Sequence, residues 1–113
     1  MPRYCPLFDI ILHPDYFNAV RTGAKRTTVR RGHLTNFGPA RLVNSENSNF
    51  VIEVDIHRTV LTTLEQLTDT EARADGFLSL GQLLSAMQKH YPDIQIEEPV
   101  TIYHFVRTDR AGG

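Results

Sequence analysis

The stretch Phe50-Val51-Ile52-Glu53-Val54-Asp55-Ile56-His57 decides the fold. Phe50, Ile52, Val54 and Ile56 alternate with Val51, Glu53, Asp55 and His57. A period of two marks a β-strand with a buried face. Successive strand side chains point to opposite faces, so those four are expected to share one. Working outward, Phe8-Asp9-Ile10-Ile11-Leu12 is a short apolar run and reads as a strand. Thr27-Thr28-Val29-Arg30 is rich in β-branched residues and reads as another. Residues 32–39 are a loop by composition. Arg41-Leu42-Val43 then opens a further strand, and residues 44–49 form a polar turn. Residues 100–106 supply the last strand.

Helices are expected between these strands. Pro14 suits a first helical turn, Asp15 sits near its positive end, and Gly23 follows its close, giving a short helix over 14–22. Thr68-Asp69-Thr70-Glu71 has capping-box form and opens a helix over 69–74, closed by Gly76. Ser79 with Gln82 repeats the capping-box spacing. Leu80, Leu83, Leu84 and Met87 recur at helical intervals and predict a helix over 80–90, buried along that face and stopped by Pro92. The sum is a single α+β domain over 1–113, with its core at 8–106 and a frayed tail at 107–113. A small mixed β-barrel with helices on its outside lets five or six short strands avoid bare edges.

Composition agrees with one ordinary globular unit. A chain of 113 residues is too short for two domains with separate cores. Apolar residues at 41% and charged residues at 22% exclude disordered, collagen-like and coiled-coil classes. No apolar run approaches the roughly 20 residues that span a bilayer, so no membrane is expected. No signal peptide is visible. Cys5 is the single cysteine, which predicts a reducing, cytoplasmic setting.

Net charge is −1, but it is unevenly spread. Residues 16–45 contain no Asp or Glu and carry Arg21, Lys25, Arg26, Arg30, Arg31 and Arg41, a charge of +6. A basic block on an acidic body predicts a localised anion site. A solvated basic face paired with acids elsewhere is the plainer reading. The five histidines, His13, His33, His57, His90 and His104, show no metal-ligand spacing. Neither a phosphate-binding G-x-x-x-x-G-K-[ST] loop nor a G-x-S-x-G elbow occurs. No metal and no cofactor are expected.

Gly23-Ala24-Lys25-Arg26-Thr27-Thr28-Val29-Arg30, the Asp75-Gly76-Phe77 turn, the Tyr91-Pro92 stop and the closing Val/Ile/Phe strand together resemble the ASCH domain, a PUA-like small β-barrel. The resemblance runs over about 12–106. In length and layout the chain is similar to the small bacterial acetylcytidine amidohydrolases of that family. Their lysine, threonine and glutamate fall on Lys25, Thr28 and Asp75, and their strand-end arginine on Arg30. The chain departs from them in carrying the shorter Asp75, and in Arg26 beside the lysine.

The resemblance implies a metal-independent amidohydrolase of acetylated cytidine or a related modified nucleoside. Thr28 is then the nucleophile, Lys25 its base, and Asp75 the carboxylate that holds Lys25 or protonates the leaving amine. Arg26, Arg30 and Arg31 are the expected substrate or phosphate contacts. Tyr16, Phe17, Phe37 and Phe77 are candidate stacking platforms for a base. A second reading stays open: an ASCH module that binds single-stranded RNA through the same basic residues, with or without ribonuclease activity.

Overall fold

The computed structural model describes residues 8–108. Strand β1 is Phe8–Leu12, and a 3₁₀ turn at Pro14–Tyr16 leads into helix α1, Phe17–Thr22. Strands β2, Thr27–Arg31, β3, Gly38–Asn44, and β4, Val51–Thr63, follow. Helices α2, Asp69–Ala74, and α3, Leu80–His90, precede the final strand β5, Pro99–Arg107. The five strands form one sheet in the order β1-β3-β4-β5-β2. Its β1–β3 pair is parallel and the other pairs are antiparallel. The sheet curls into an open half-barrel whose edges are β1 and β2.

Two apolar cores flank the sheet. In one, Phe17 and Val20 of α1 pack with Ile10 and Leu12 of β1, Ala40 and Leu42 of β3, Ile52, Val54 and Ile56 of β4, and Tyr103 and Phe105 of β5. In the other, Ala72 of α2 and Leu83 and Met87 of α3 pack on Val29, Val100 and Ile102. Alternation along β5 sends its residues into both cores. The helix-bearing face was legible in the caps. Thr68 and Glu71 form a full capping box, and Ser79 accepts from the Gln82 amide. The Gln82 side chain instead accepts from the Leu78 amide, so the second box is only half made.

Four local readings change. Phe50 precedes β4, lies in the turn and is 53% exposed, whereas Ile52, Val54 and Ile56 share the buried face. Strand β4 continues through Thr63, because a bulge between Ile56 and Arg58 shifts the register and breaks the period of two. Strand β3 begins at Gly38 rather than Arg41, and Gly38 has a φ of 94° that glycine accommodates. Arg107 belongs to β5, and Thr108 donates to the Glu53 carbonyl, so the expected tail is ordered at its start. Residues 109–113 lie outside the described residues, as does Cys5. Among the described residues no helix is long and apolar enough to cross a membrane.

Leu83 is 1% exposed, while Leu80 and Leu84 are only half-buried against the same core. Leu83→Ala is therefore expected to cost about 2–5 kcal/mol in urea unfolding, and Leu84→Ala distinctly less, since its site partly collapses or hydrates.

Candidate active site

A cleft of about 290 Å³ opens between the sheet and α3. Lys25, Thr28, Arg30 and Asp75 line it, together with Tyr16, Phe77, His13, His90 and Tyr91. The three residues expected to meet do meet, although Asp75 lies far along the chain from Lys25. Main-chain bonds bring them together. The Lys25 amide donates to the Ala19 carbonyl within α1 (2.9 Å), and the Arg26 amide donates to the Ala74 carbonyl at the end of α2 (2.7 Å). The Arg26 carbonyl accepts from Phe105 of β5 at 3.1 Å. The chain just before β2 is thus tied to α1, α2 and β5 at once.

Lys25 and Asp75 form a buried ion pair, each 4% exposed. The Lys25 ammonium donates to the Asp75 carboxylate and also to the Asp75 carbonyl, the latter at 3.3 Å. Gly76 makes the approach possible. Its φ is 95°, and a Cβ there would stand 3.3 Å from Lys25 Cβ. The absent side chain lets the loop lie close enough for an aspartate, one methylene shorter than glutamate, to reach the amine.

Burial pushes the Lys25 amine below its ordinary value, and Arg30 adds to that, with Asp75 opposing. Burial likewise raises the Asp75 carboxyl, against the pull of Lys25, Arg30 and the Val29 amide. Both groups are driven toward neutrality by the same cause, loss of water. Such a lysine gives up its proton more readily than a solvated one.

Thr28 is 3% exposed, and its hydroxyl accepts from Arg30 Nε at 3.2 Å. No hydrogen bond joins it to Lys25 among the described residues; the guanidinium holds it instead. Because the oxygen accepts from Arg30, its own hydrogen remains free to donate. Thr28 and Arg30 share a face of β2, as two-residue spacing requires.

Arg26 and Arg31 are not brought to the cleft. Arg31 is one residue beyond Arg30, so it points the other way and pairs with Asp93 and Glu98. Arg26 is exposed at a separate surface hollow with Arg21 and Arg107. Arg41 pairs with Asp9. The +6 block is thus dispersed, and only Lys25 and Arg30 of it face the cleft. Of the four aromatic candidates, Tyr16 and Phe77 line the cleft, Phe17 is buried in the α1 core, and Phe37 is 76% exposed away from it. Sequence spacing missed His13 and His90, which come from opposite ends of the chain and carry no local pattern.

No protein-family model matches the sequence, and no curated protein matches it. Solved structures do. An ASCH domain from Lactobacillus crispatus superposes with a TM-score of 0.74 at 14% identity, covering 92% of this chain and 80% of that one. A protein from Enterococcus faecalis gives 0.72 at 11% identity, covering 97% and 86%. A tyrosine-to-phenylalanine mutant of an ASCH protein from Zymomonas mobilis gives 0.61 at 19% identity, covering 87% and 67%. At these identities the likeness is one of fold, and that fold is the α+β, PUA-like ASCH fold.

Two outcomes follow from the pair and the turn. Lys25→Ala leaves Asp75 buried without its ion-pair partner and is expected to cost about 3–5 kcal/mol at neutral pH. A lone buried carboxyl titrates above its unfolded value of 3.8. Its proton is bound more tightly folded than unfolded, so the variant regains stability as pH falls toward that value and loses it as pH rises. Urea midpoints across pH 3.5–7 check this: the slope is expected to be steeper in the variant than in the wild type, where Lys25 offsets part of the rise that burial imposes on Asp75. Gly76→Ala combines a left-handed φ with crowding against Lys25 and is expected to cost at least about 1 kcal/mol by thermal melting.

Proposed function

We propose that this ASCH-fold chain is an amidohydrolase of N-acylated nucleosides, of the acetylcytidine class, with Thr28 as nucleophile and Lys25 as base. The observation that carries this reading is the buried Lys25–Asp75 pair in the wall of a cleft that Thr28 also lines. A lysine displaced toward neutrality, in the same cleft as a hydroxyl whose hydrogen is free to donate, suits attack on an amide. The cleft volume, about 290 Å³, lies at the small end of ligand pockets and suits one nucleoside. Tyr16 and Phe77 give it aromatic walls for a base.

In the acylation step, the Thr28 hydroxyl proton passes to the Lys25 amine as Oγ1 bonds the acyl carbon. Arg30, already donating to Oγ1, offers positive charge for the developing oxyanion. The C–N bond then breaks, its electron pair goes to nitrogen, and nitrogen takes one proton from the solvent side of the cleft before the nucleoside amine departs. Water adds to the resulting threonine ester and gives one proton to solvent, the acid leaves, and Thr28 regains its proton from Lys25. Asp75 stays bound to Lys25 throughout and holds it in the cleft. Delivery of a proton by Asp75 to the leaving amine is not part of this scheme, since the Asp75 carboxylate is engaged with the Lys25 ammonium.

The RNA-binding alternative needs basic side chains that track successive phosphates. Arg31 and Arg41 are engaged in ion pairs and Arg26 faces elsewhere, which favours a single nucleoside over a strand. The lone cysteine Cys5 fits the cytoplasmic location proposed for such an enzyme.

The test is incubation of the purified protein with a panel of N-acylated nucleosides and, separately, with single-stranded RNA. Release of free nucleoside is the expected outcome. Thr28→Ala is expected to lower the rate by about 10³-fold or more, and Thr28→Ser to retain much of it. No release from any nucleoside, with salt-sensitive binding or cleavage of RNA, would favour the RNA reading instead. Thr28 is the cleaner probe, because Lys25→Ala also disturbs the fold.

A further inference from the structure

An amine leaves an acyl carbon readily only after its nitrogen has gained a proton. Lys25 is not the source, since the proton it takes from Thr28 is the one it returns to Thr28. Asp75 is engaged with the Lys25 ammonium. The cleft contains a second group of proton-handling side chains, contributed by the 3₁₀ turn and the end of α3. The Tyr16 ring stands over Lys25 Nζ, 5.3 Å from its centroid. Its hydroxyl lies 3.3 Å from His90 Nε2. The His13 ring packs edge-on against Tyr16 at 5.9 Å and lies 6.2 Å from that of His90. Tyr16 therefore bridges the base to an exposed imidazole that exchanges protons with water.

We infer that Tyr16, backed by His90, is the acid that protonates the departing amine, an assignment that rests on the amidohydrolase reading above. As the C–N bond breaks, its electron pair goes to nitrogen and nitrogen takes the Tyr16 phenol proton. The phenolate regains a proton from the His90 imidazolium. In the second half of the cycle, water adds to the threonine ester and sheds its proton to solvent, and the exposed neutral imidazole takes one back from solvent. The two halves balance, with Lys25 serving Thr28 in both and the Tyr16–His90 pair serving the leaving amine alone. Tyr16 is the catalytic residue here, and His90 is a positioning residue that acts through it.

The groups facing His90 are His13, Tyr16, Arg30, Lys89 and Lys25. Burial, then the cationic members of that set, hold its pKa below the ordinary histidine value of 6.5. The imidazolium is the form required, so the limb it sets falls as pH rises through that lowered value.

Tyr16→Phe and His90→Gln separate this role from packing, since both keep the size of the side chain. Each is assayed on N-acetylcytidine and on p-nitrophenyl acetate, whose leaving group needs no proton. The expected result for Tyr16→Phe is a fall in kcat of about 10²-fold or more on N-acetylcytidine, with the ester within about 3-fold of wild type. His90→Gln is expected to flatten the falling limb of the pH profile on N-acetylcytidine alone. Equal losses on both substrates, or no loss on either, overturn the assignment while leaving the amidohydrolase reading intact. A wild type that releases no nucleoside from any N-acylated substrate overturns that reading, and this assignment with it.

Discussion

The structure turns on a charge pair placed where water cannot reach it. Removing an ammonium and a carboxylate from water is costly, and their attraction in the interior repays this only in part. Apolar residues of similar size often stabilise a fold as well or better. The Lys25–Asp75 pair is therefore hard to explain as a stabilising device. It fits the chemical role proposed for it, because burial shifts both groups toward neutrality at the wall of an accessible cleft. Around it the fold makes specific concessions: a glycine at positive φ, a carboxylate at a helix end, and a main chain at 25–26 that is bonded to three other elements.

The half-barrel supplies the rigidity for this. Strand β5 sits between β4 and β2 and feeds both apolar cores, so the strand carrying Thr28 and Arg30 is fixed through its pairing with β5. Helix α3 closes the cleft from the other side with Leu83 and Met87, which belong at once to a core and to the cleft wall. The cleft floor is thus continuous with the hydrophobic core, and its polar groups sit on elements that have little freedom to move.

Much of the fold was legible in local signals. Threonine and glutamate three residues apart set the start of α2, and leucines at helical spacing set the length of α3. Periodicity placed β4 but not its end, because the bulge after Ile56 changes which side faces the core. The barrel expected to close stays open at β1 and β2, and no local pattern encodes whether two edges pair. Within the site, the two-residue spacing of Thr28 and Arg30 was readable from strand geometry. The meeting of Lys25 with Asp75 was not; only the family resemblance pointed to it. His13 and His90 had no signal at all, since their proximity is made by tertiary packing. The arginines misled because a run of like charges along a strand is divided between two faces and claimed by acids distant in sequence, as Arg31 is by Asp93 and Glu98.

The hydrogen bond from the Arg26 amide to the Ala74 carbonyl has a consequence for the order in which the molecule is made. It closes a long loop, and long loops close late because their chain entropy must be overcome before the contact repays it. Until then Lys25 is an ordinary solvated ammonium. The burial that pushes its amine toward neutrality therefore arrives only with the docking of α2 against the chain before β2. The same contact stands at the end of a six-residue helix, so an opening confined to that helix would return the Lys25 amine to water while the sheet stays paired.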